Sequence, residues 1–250
     1  MRKTAFFLAI MILLSAGPAL AAEMVLWGVY GGLSMGAVFL PMENLNEYLA
    51  PLRIDDFSPT IPIVGADIYA VLGERLVAGW QGFIFMQHET GERADAQLAG
   101  GAGNLYIGLN VYETADLRLR PEFGIGGSLL NLTLNENEDR FPRKFHDLTI
   151  PAGCNQLFFS RGALEGRVAF TAEWTPAIYQ TSNGLLGLAV SLSAGLEAPL
   201  LEDDWQIRAH DSREHERSTL TGDGPALHLL APYVLLGVKF GGGITETDKE

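Results

Sequence analysis

The stretch Asn104–Leu134, NLYIGLNVYETADLRLRPEFGIGGSLLNLTL, decides how the rest of the chain is read. Leu105, Ile107, Leu109 and Val111 fall on one face of an extended backbone, and Asn104, Tyr106, Gly108 and Asn110 on the other. After a polar break at Glu113–Asp116, Leu117, Leu119, Phe123 and Ile125 alternate with Arg118, Arg120, Glu122 and Gly124. Alternation with a period of two marks a strand. Two such runs around a short polar break predict a hairpin. Further along, Leu130, Leu132 and Leu134 are even where the earlier apolar positions are odd. A one-residue slip flips the faces of a strand unless a bulge absorbs it, so a bulge is expected near Gly126–Gly127.

The same unit recurs on both sides. Strands are predicted at about Met24–Leu40, Ile61–Leu72, Arg75–Gln87, Arg167–Tyr179, Leu186–Glu197 and Leu227–Phe240, which with the hairpin makes eight. Leu45, Tyr48, Leu49 and Leu52 suit one face of a short helix between the first two. Tight turns are expected at Gly73–Glu74, at Glu113–Asp116 and at Ser182-Asn183-Gly184, the last around the strong Asn-Gly turn pair. Longer polar connections are expected at 42–59, 88–95, 135–166 (with Asn155–Leu164 as a short helix) and 201–226. Short and long connections alternate, so all short turns lie at one end of an up-and-down sheet.

The N-terminus carries Arg2 and Lys3, an apolar run Ala5–Leu14 and an Ala19-Leu20-Ala21 cleavage pattern, which is the layout of an export signal cut after Ala21. The run is too short for a membrane helix, which needs roughly 20 apolar residues. The net charge is −13, and loss of the two basic residues of 1–21 leaves −15. Such a chain offers no basic face for nucleic acid. The one cysteine, Cys154, rules out an internal disulfide and reads as a buried or loop thiol. At 48% hydrophobic the chain is no disordered polymer.

The face opposite the aliphatic one is the telling feature. Against Leu186, Leu188, Val190, Leu192 and Leu196 stand Gly187, Ala189, Ser191, Ser193 and Gly195. Small residues suit the crowded interior of a narrow barrel. The aliphatic face then points outward, and a band of that size would aggregate in water but is the expected surface in lipid. A soluble periplasmic ligand-binding barrel would need the opposite arrangement, with Gly187, Ser191 and Ser193 as its water-facing surface.

An export signal, eight amphipathic strands, alternating turn lengths and a last strand Tyr233–Phe240 resemble the small eight-stranded outer-membrane β-barrels of bacteria. The resemblance spans about Met24–Gly243 and is one of pattern. It implies an all-β, antiparallel, up-and-down transmembrane barrel with short periplasmic turns and long external loops. The chain then divides into a signal peptide (1–21), the barrel (22–243) and a polar tail (244–250). The implied location is the outer membrane, the implied partners are outer-membrane lipid and the barrel-insertion machinery, which would read Phe240, and no cofactor is implied. Pro62, Pro121, Pro176 and Pro232 require strand starts, bulges or gaps, because Pro removes a ladder donor.

The inward-phase charges are Asp67, Arg118, Arg120, Glu122, Arg167, Glu173, Glu197 and Lys239. Burial forces charges to pair, so an interior ion-pair network is expected, with an ion path as the sharper alternative. The five histidines show no metal-ligand spacing. Some barrels of this size are lipid A-modifying enzymes that use a rim His with Ser and an acid. Here His88, His146, His210 and His228, with Ser160 and Ser218, map near the rim by position only. The leading expectation is therefore a non-enzymatic envelope or surface protein. Recognition is expected on the loops, with Phe141, Phe145, Phe158, Phe159 and Trp205 as anchors for a surface ligand. Their alternative role is to pack the loops into a lid over the barrel mouth.

Overall fold

The computed structural model describes residues 26–73, 75–114, 116–137, 141–151, 153–181, 184–211, 216–225, 227 and 230–243. The expected export signal and polar tail lie outside these residues, as do Glu74, Ser182 and Asn183 of the tight turns. Eight long strands form the wall: β1 Leu26–Phe39, β2 Thr60–Leu72, β3 Leu76–Glu89, β4 Ala94–Leu109, β5 Leu117–Glu136, β6 Gln156–Thr181, β7 Gly184–Glu202 and β8 Ala231–Gly243. Each pairs antiparallel with its sequence neighbours. The ring closes because β8 pairs with both β7 (Val190↔Val238) and β1 (Leu33↔Val238). At that seam Gly32 lets the backbones approach, since a Cβ there would run into the Val238 carbonyl.

The pleat sorts the side chains as lipid requires. Leu33, at 72% exposure, stands on the outer face with Ile84, Leu105, Phe123, Leu192, Leu236 and Phe240, while Asp67, Arg120, Arg167, Glu173 and Lys239 are buried in the bore. This is the inverse of a water-soluble barrel. Most long connections leave from the end opposite the tight turns. The exception joins β3 to β4, where residues 90–93 suffice because both strands run on past the polar loop expected at 88–95.

Three expectations are corrected here. No bulge interrupts β5: its ladders to β4 and β6 run in continuous register through Gly126–Gly127. Even-numbered residues point inward along its whole length, Arg120 and Glu122 below, Leu130, Leu132 and Leu134 above. What changes is the surroundings. Within lipid the bore is polar and the outside apolar; above lipid Asn131 and Thr133 face out and the leucines form a conventional core. Secondly, Asn155–Leu164 is no helix. It begins β6, a strand of 26 residues, with Leu157 and Phe159 inward and Phe158 outward. Thirdly, Leu227 precedes β8 and is buried with the external residues. A ribbon of Gln206–Asp211 and Glu216–Leu220 lengthens the sheet beside upper β6.

The prolines occupy ladder ends and a bulge. Pro62 lies one residue past the last β2–β3 pair, Ile63↔Phe85. Pro121 lies one past the β4–β5 terminus, Gly108↔Glu122, and Pro232 one past the β8–β1 terminus, Val38↔Tyr233. At Pro176 the register shifts between Leu188↔Ala177 and Val190↔Trp174, so Ala189 faces both Thr175 and Pro176. In each place a missing N–H leaves no gap inside a ladder.

Above the membrane the long connections make a cap. Helix α1, Glu43–Leu49, and the turn Ala50–Leu52 press Leu45, Leu49 and Leu52 onto Ile61, Leu98, Leu132, Leu134 and Leu157. Asn46 ties the segment shut by accepting from the Phe57 N–H at 2.9 Å and donating to its carbonyl at 3.1 Å. Cys154 is buried in the same core, its thiol donating to the Gln156 carbonyl.

Candidate functional site

The bore is the first candidate. All eight expected charges lie on its wall, and neighbouring strands bring them into contact. Glu122 accepts from Arg120 Nε at 2.8 Å and from Arg167 Nη2 at 2.7 Å. Arg167 also donates to Gln81 Oε1 and to the Tyr233 hydroxyl, each at 2.6 Å. The Arg120 guanidinium stacks over Tyr69, and that of Arg167 over Tyr106, a desolvated placement that planar guanidinium tolerates well. Lys239 pairs with Asp67 and stands 3.5 Å from Glu173. Tyr69 donates to Glu173 at 2.6 Å and Tyr106 to Asp67 at 2.8 Å. Arg118, nearer the short-turn end, pairs with Glu113 at 2.8 Å and lies 3.7 Å from Glu173.

Glu197 faces Arg167 across the β6–β7 ladder, but its hydrogen bonds go to uncharged and acidic neighbours. It accepts from Asn104 Nδ2 at 2.8 Å and touches Glu165, which in turn accepts from Ser128. Beside them is a cavity of about 20 Å³, room for about one water. Glu165, Gln81, Asn104 and the tyrosines belong to this network and were missing from the expected set. Glu165 falls within the connection predicted at 135–166, and the others carry no charge, although their inward phase is legible in the sequence. Chemically the bore is a set of paired groups filling the space between the strands. Phe83, Leu130 and Leu235 continue that filling upward into the cap.

The rim is the second candidate. Phe141, Phe145 and Phe159 are buried in the cap, and Trp205 packs against it, its Nε1 donating to the Pro225 carbonyl at 2.9 Å. These four are turned inward as parts of a lid; Phe158, 36% exposed, is on the outer wall. Tyr48 of α1 joins the pieces. Its ring stacks on His146 at 4.1 Å and meets Phe145 edge-on, and burial beside Asp147 and Asp223 pushes its phenol well above the ordinary range. His146 Nε2 lies 2.8 Å from the Tyr48 carbonyl oxygen.

The rim histidines do not converge on a serine. His88 is on the outer face of β3, and His146 is exposed at the cap surface, stacked on Tyr48. His210 is opposite Gln156, whereas Ser160 is opposite Gln206. Four residues along a strand separate them by roughly 13 Å, too far for a nucleophile–base pair. Ser218 is exposed on the ribbon, and His215 and His228 lie outside the described residues. Among the described residues no three His, Cys, Asp or Glu side chains cluster as metal ligands.

No family model matches this sequence, and no curated protein matches it. Among solved structures the chain is similar to Ail, the attachment invasion locus protein of Yersinia pestis, at 6% identity and TM-score 0.48, covering 87% of this chain and 99% of that one. It is also similar to the outer membrane protease OmpT from Escherichia coli, at 10% identity and TM-score 0.39, covering 90% of this chain and 99% of that one. These likenesses assign no residue a role.

Proposed function

We propose that the protein is a non-enzymatic outer-membrane barrel of a bacterial envelope, exported by its N-terminal signal, whose role is structural or one of surface interaction. The observation behind this reading is the filled axis. Arg120, Glu122 and Arg167 occupy the bore with their partners, and α1 packs Leu45 and Leu49 onto an apolar core above it. A filled axis suits neither solute passage nor a reaction cleft at the mouth, and it leaves the outer wall and the surface of the cap as the working faces.

The test is fractionation of cells producing the full chain, with heat-dependent gel mobility, followed by conductance of the purified protein in planar bilayers. Expected are an outer-membrane fraction, a mobility shift on boiling and no steady channel. A soluble periplasmic monomer, or a stable open channel, overturns the proposal.

A further inference from the structure

We infer that the outer wall above β3–β6 holds one lipid of the outer leaflet, with its acyl chain in an apolar groove and its phosphate-bearing headgroup in a polar groove beside it. The inference rests on the outer-membrane placement proposed above and names a partner for that outer wall.

Ladder register places Met86, Ala99, Asn131, Ser160 and Gln206 in one row across the outside of the wall. Below this row is a groove of about 700 Å³, walled by Pro62, Val64, Ile84, Met86 and Leu129 and floored by Ala99, Gly100 and Gly101. Its depth has two causes. The β2–β3 ladder stops at Ile63↔Phe85, one residue short of Pro62, and the floor residues have almost no side chains. The groove is continuous with the lipid-facing band, so an acyl chain is the occupant that meets no desolvation cost on entering.

On the other side of Asn131 is a second groove of about 400 Å³, lined by Asn131, Gln156, Phe158, Ser160, Arg208 and His210, with Gln206 beside them. Asn131 borders both grooves. Among the described residues no carboxylate lines this one, in a chain with 30 acidic and 17 basic residues. Arg208 is exposed, its Nη2 donates to Gln206 Oε1 at 3.4 Å, and its cross-strand partners are Phe158 and Thr219 rather than acids. A guanidinium beside amide and hydroxyl donors is the donor set that phosphate oxygens take. Phe158 adds an aromatic surface at the height where the wall turns from apolar to polar, the level at which aromatic side chains anchor to the interface.

The test uses the full chain in phosphatidylcholine nanodiscs doped with a minor fraction of phosphatidic acid, with retained lipid identified by native mass spectrometry. The wild type is expected to keep one lipid, enriched in phosphatidic acid about tenfold over the bulk ratio, as a charge-assisted contact provides. Arg208→Gln should lower that enrichment toward the bulk ratio, and Ala99→Phe, which fills the groove, should lose the retained lipid. Both changes sit on the outer surface, and gel mobility before and after boiling reports insertion. Variants that insert and retain phosphatidic acid as the wild type does overturn the site while the outer-membrane reading stands. Retention abolished equally by added inorganic phosphate assigns the polar groove to free anions and overturns the lipid. A wild type that fails to insert removes both readings together.

Discussion

Arg167 Nη2 lies 2.7 Å from Glu122 Oε2 inside the bore, and neither side chain meets solvent. Glu122 is the shared acceptor of two guanidinium groups, so its loss strands charge in a place water cannot reach. Glu122→Ala is expected to cost ~3–5 kcal/mol, because breaking a buried pair leaves the partner uncompensated. The exposed pair Arg53–Glu92, with side chains 62% and 67% accessible, is the contrast. Glu92→Gln there should stay within ~0.5 kcal/mol. Urea unfolding in detergent micelles or vesicles checks both. Equal costs at the two sites would mean that the bore is wet.

A second expectation concerns the lipid face. Leu192 is outward and exposed, and its neighbour Ser191 is inward and buried. Leu192→Arg should cost ~2–4 kcal/mol if it sits near mid-membrane. Ser191→Leu should cost ~1–3 kcal/mol for a different reason, overfilling a packed interior. Folding yields into lipid vesicles separate the two. If arginine is accepted at 192, the lipid-facing assignment of that wall fails.

The cap is expected to loosen without unfolding the barrel. Phe145 is 1% exposed and packs edge-on to Tyr48. Phe145→Ala removes a buried ring and should cost the cap ~3–5 kcal/mol. The ion pairs of the bore do not involve it. Proteolysis should therefore begin in residues 137–155 of the variant while heat-dependent gel mobility is retained. Loss of both at once would show that cap and barrel fold as one unit.

Tyr48 gives the cap a pH limit. Its phenol is raised by burial first, then by Asp147 and Asp223. A group whose folded value lies above its unfolded value stabilises fully below the unfolded value, near ~10 for tyrosine. That stabilisation is lost as pH climbs beyond ~10 toward the folded value. Cap protection against protease should fall in that alkaline range, and Tyr48→Phe should flatten the fall. An unchanged profile in the variant would assign the alkaline loss to another group.

Within lipid the faces were legible because one side of each strand is aliphatic and the other small or charged. Leu105 and Ile107 against Asn104 and Tyr106 leave no ambiguity. Above lipid the rule inverts, and the leucines at 130, 132 and 134 looked like a slip in register, since no local feature of sequence announces where the membrane ends. Leu157-Phe158-Phe159 hid its alternation for a related reason: apolar residues on both faces erase a period of two. Glu165 vanished from the charge network along with that strand. Long-range partners such as Tyr69 and Glu173, 104 residues apart, depend on how the ring closes, which no local pattern encodes.

The length of β6 has a mechanical consequence. Gln156–Thr181 runs without a break from the cap, through the wall, to the hairpin at the far side. It is zipped to β5 from Asn135↔Gln156 down to Leu117↔Trp174, and to β7 from Glu202↔Ala163 down to Gly184↔Thr181. The ladder to β5 keeps one register throughout, and the two shifts in the ladder to β7, at Pro176 and between Pro199 and Leu201, interrupt neither strand. A pull on the cap would reach the inner side as shear along two parallel ladders, in which many hydrogen bonds share the load instead of opening one after another. The molecule would then answer tension at the cell surface as a stiff rivet through the bilayer, not as a tethered head on a flexible stem.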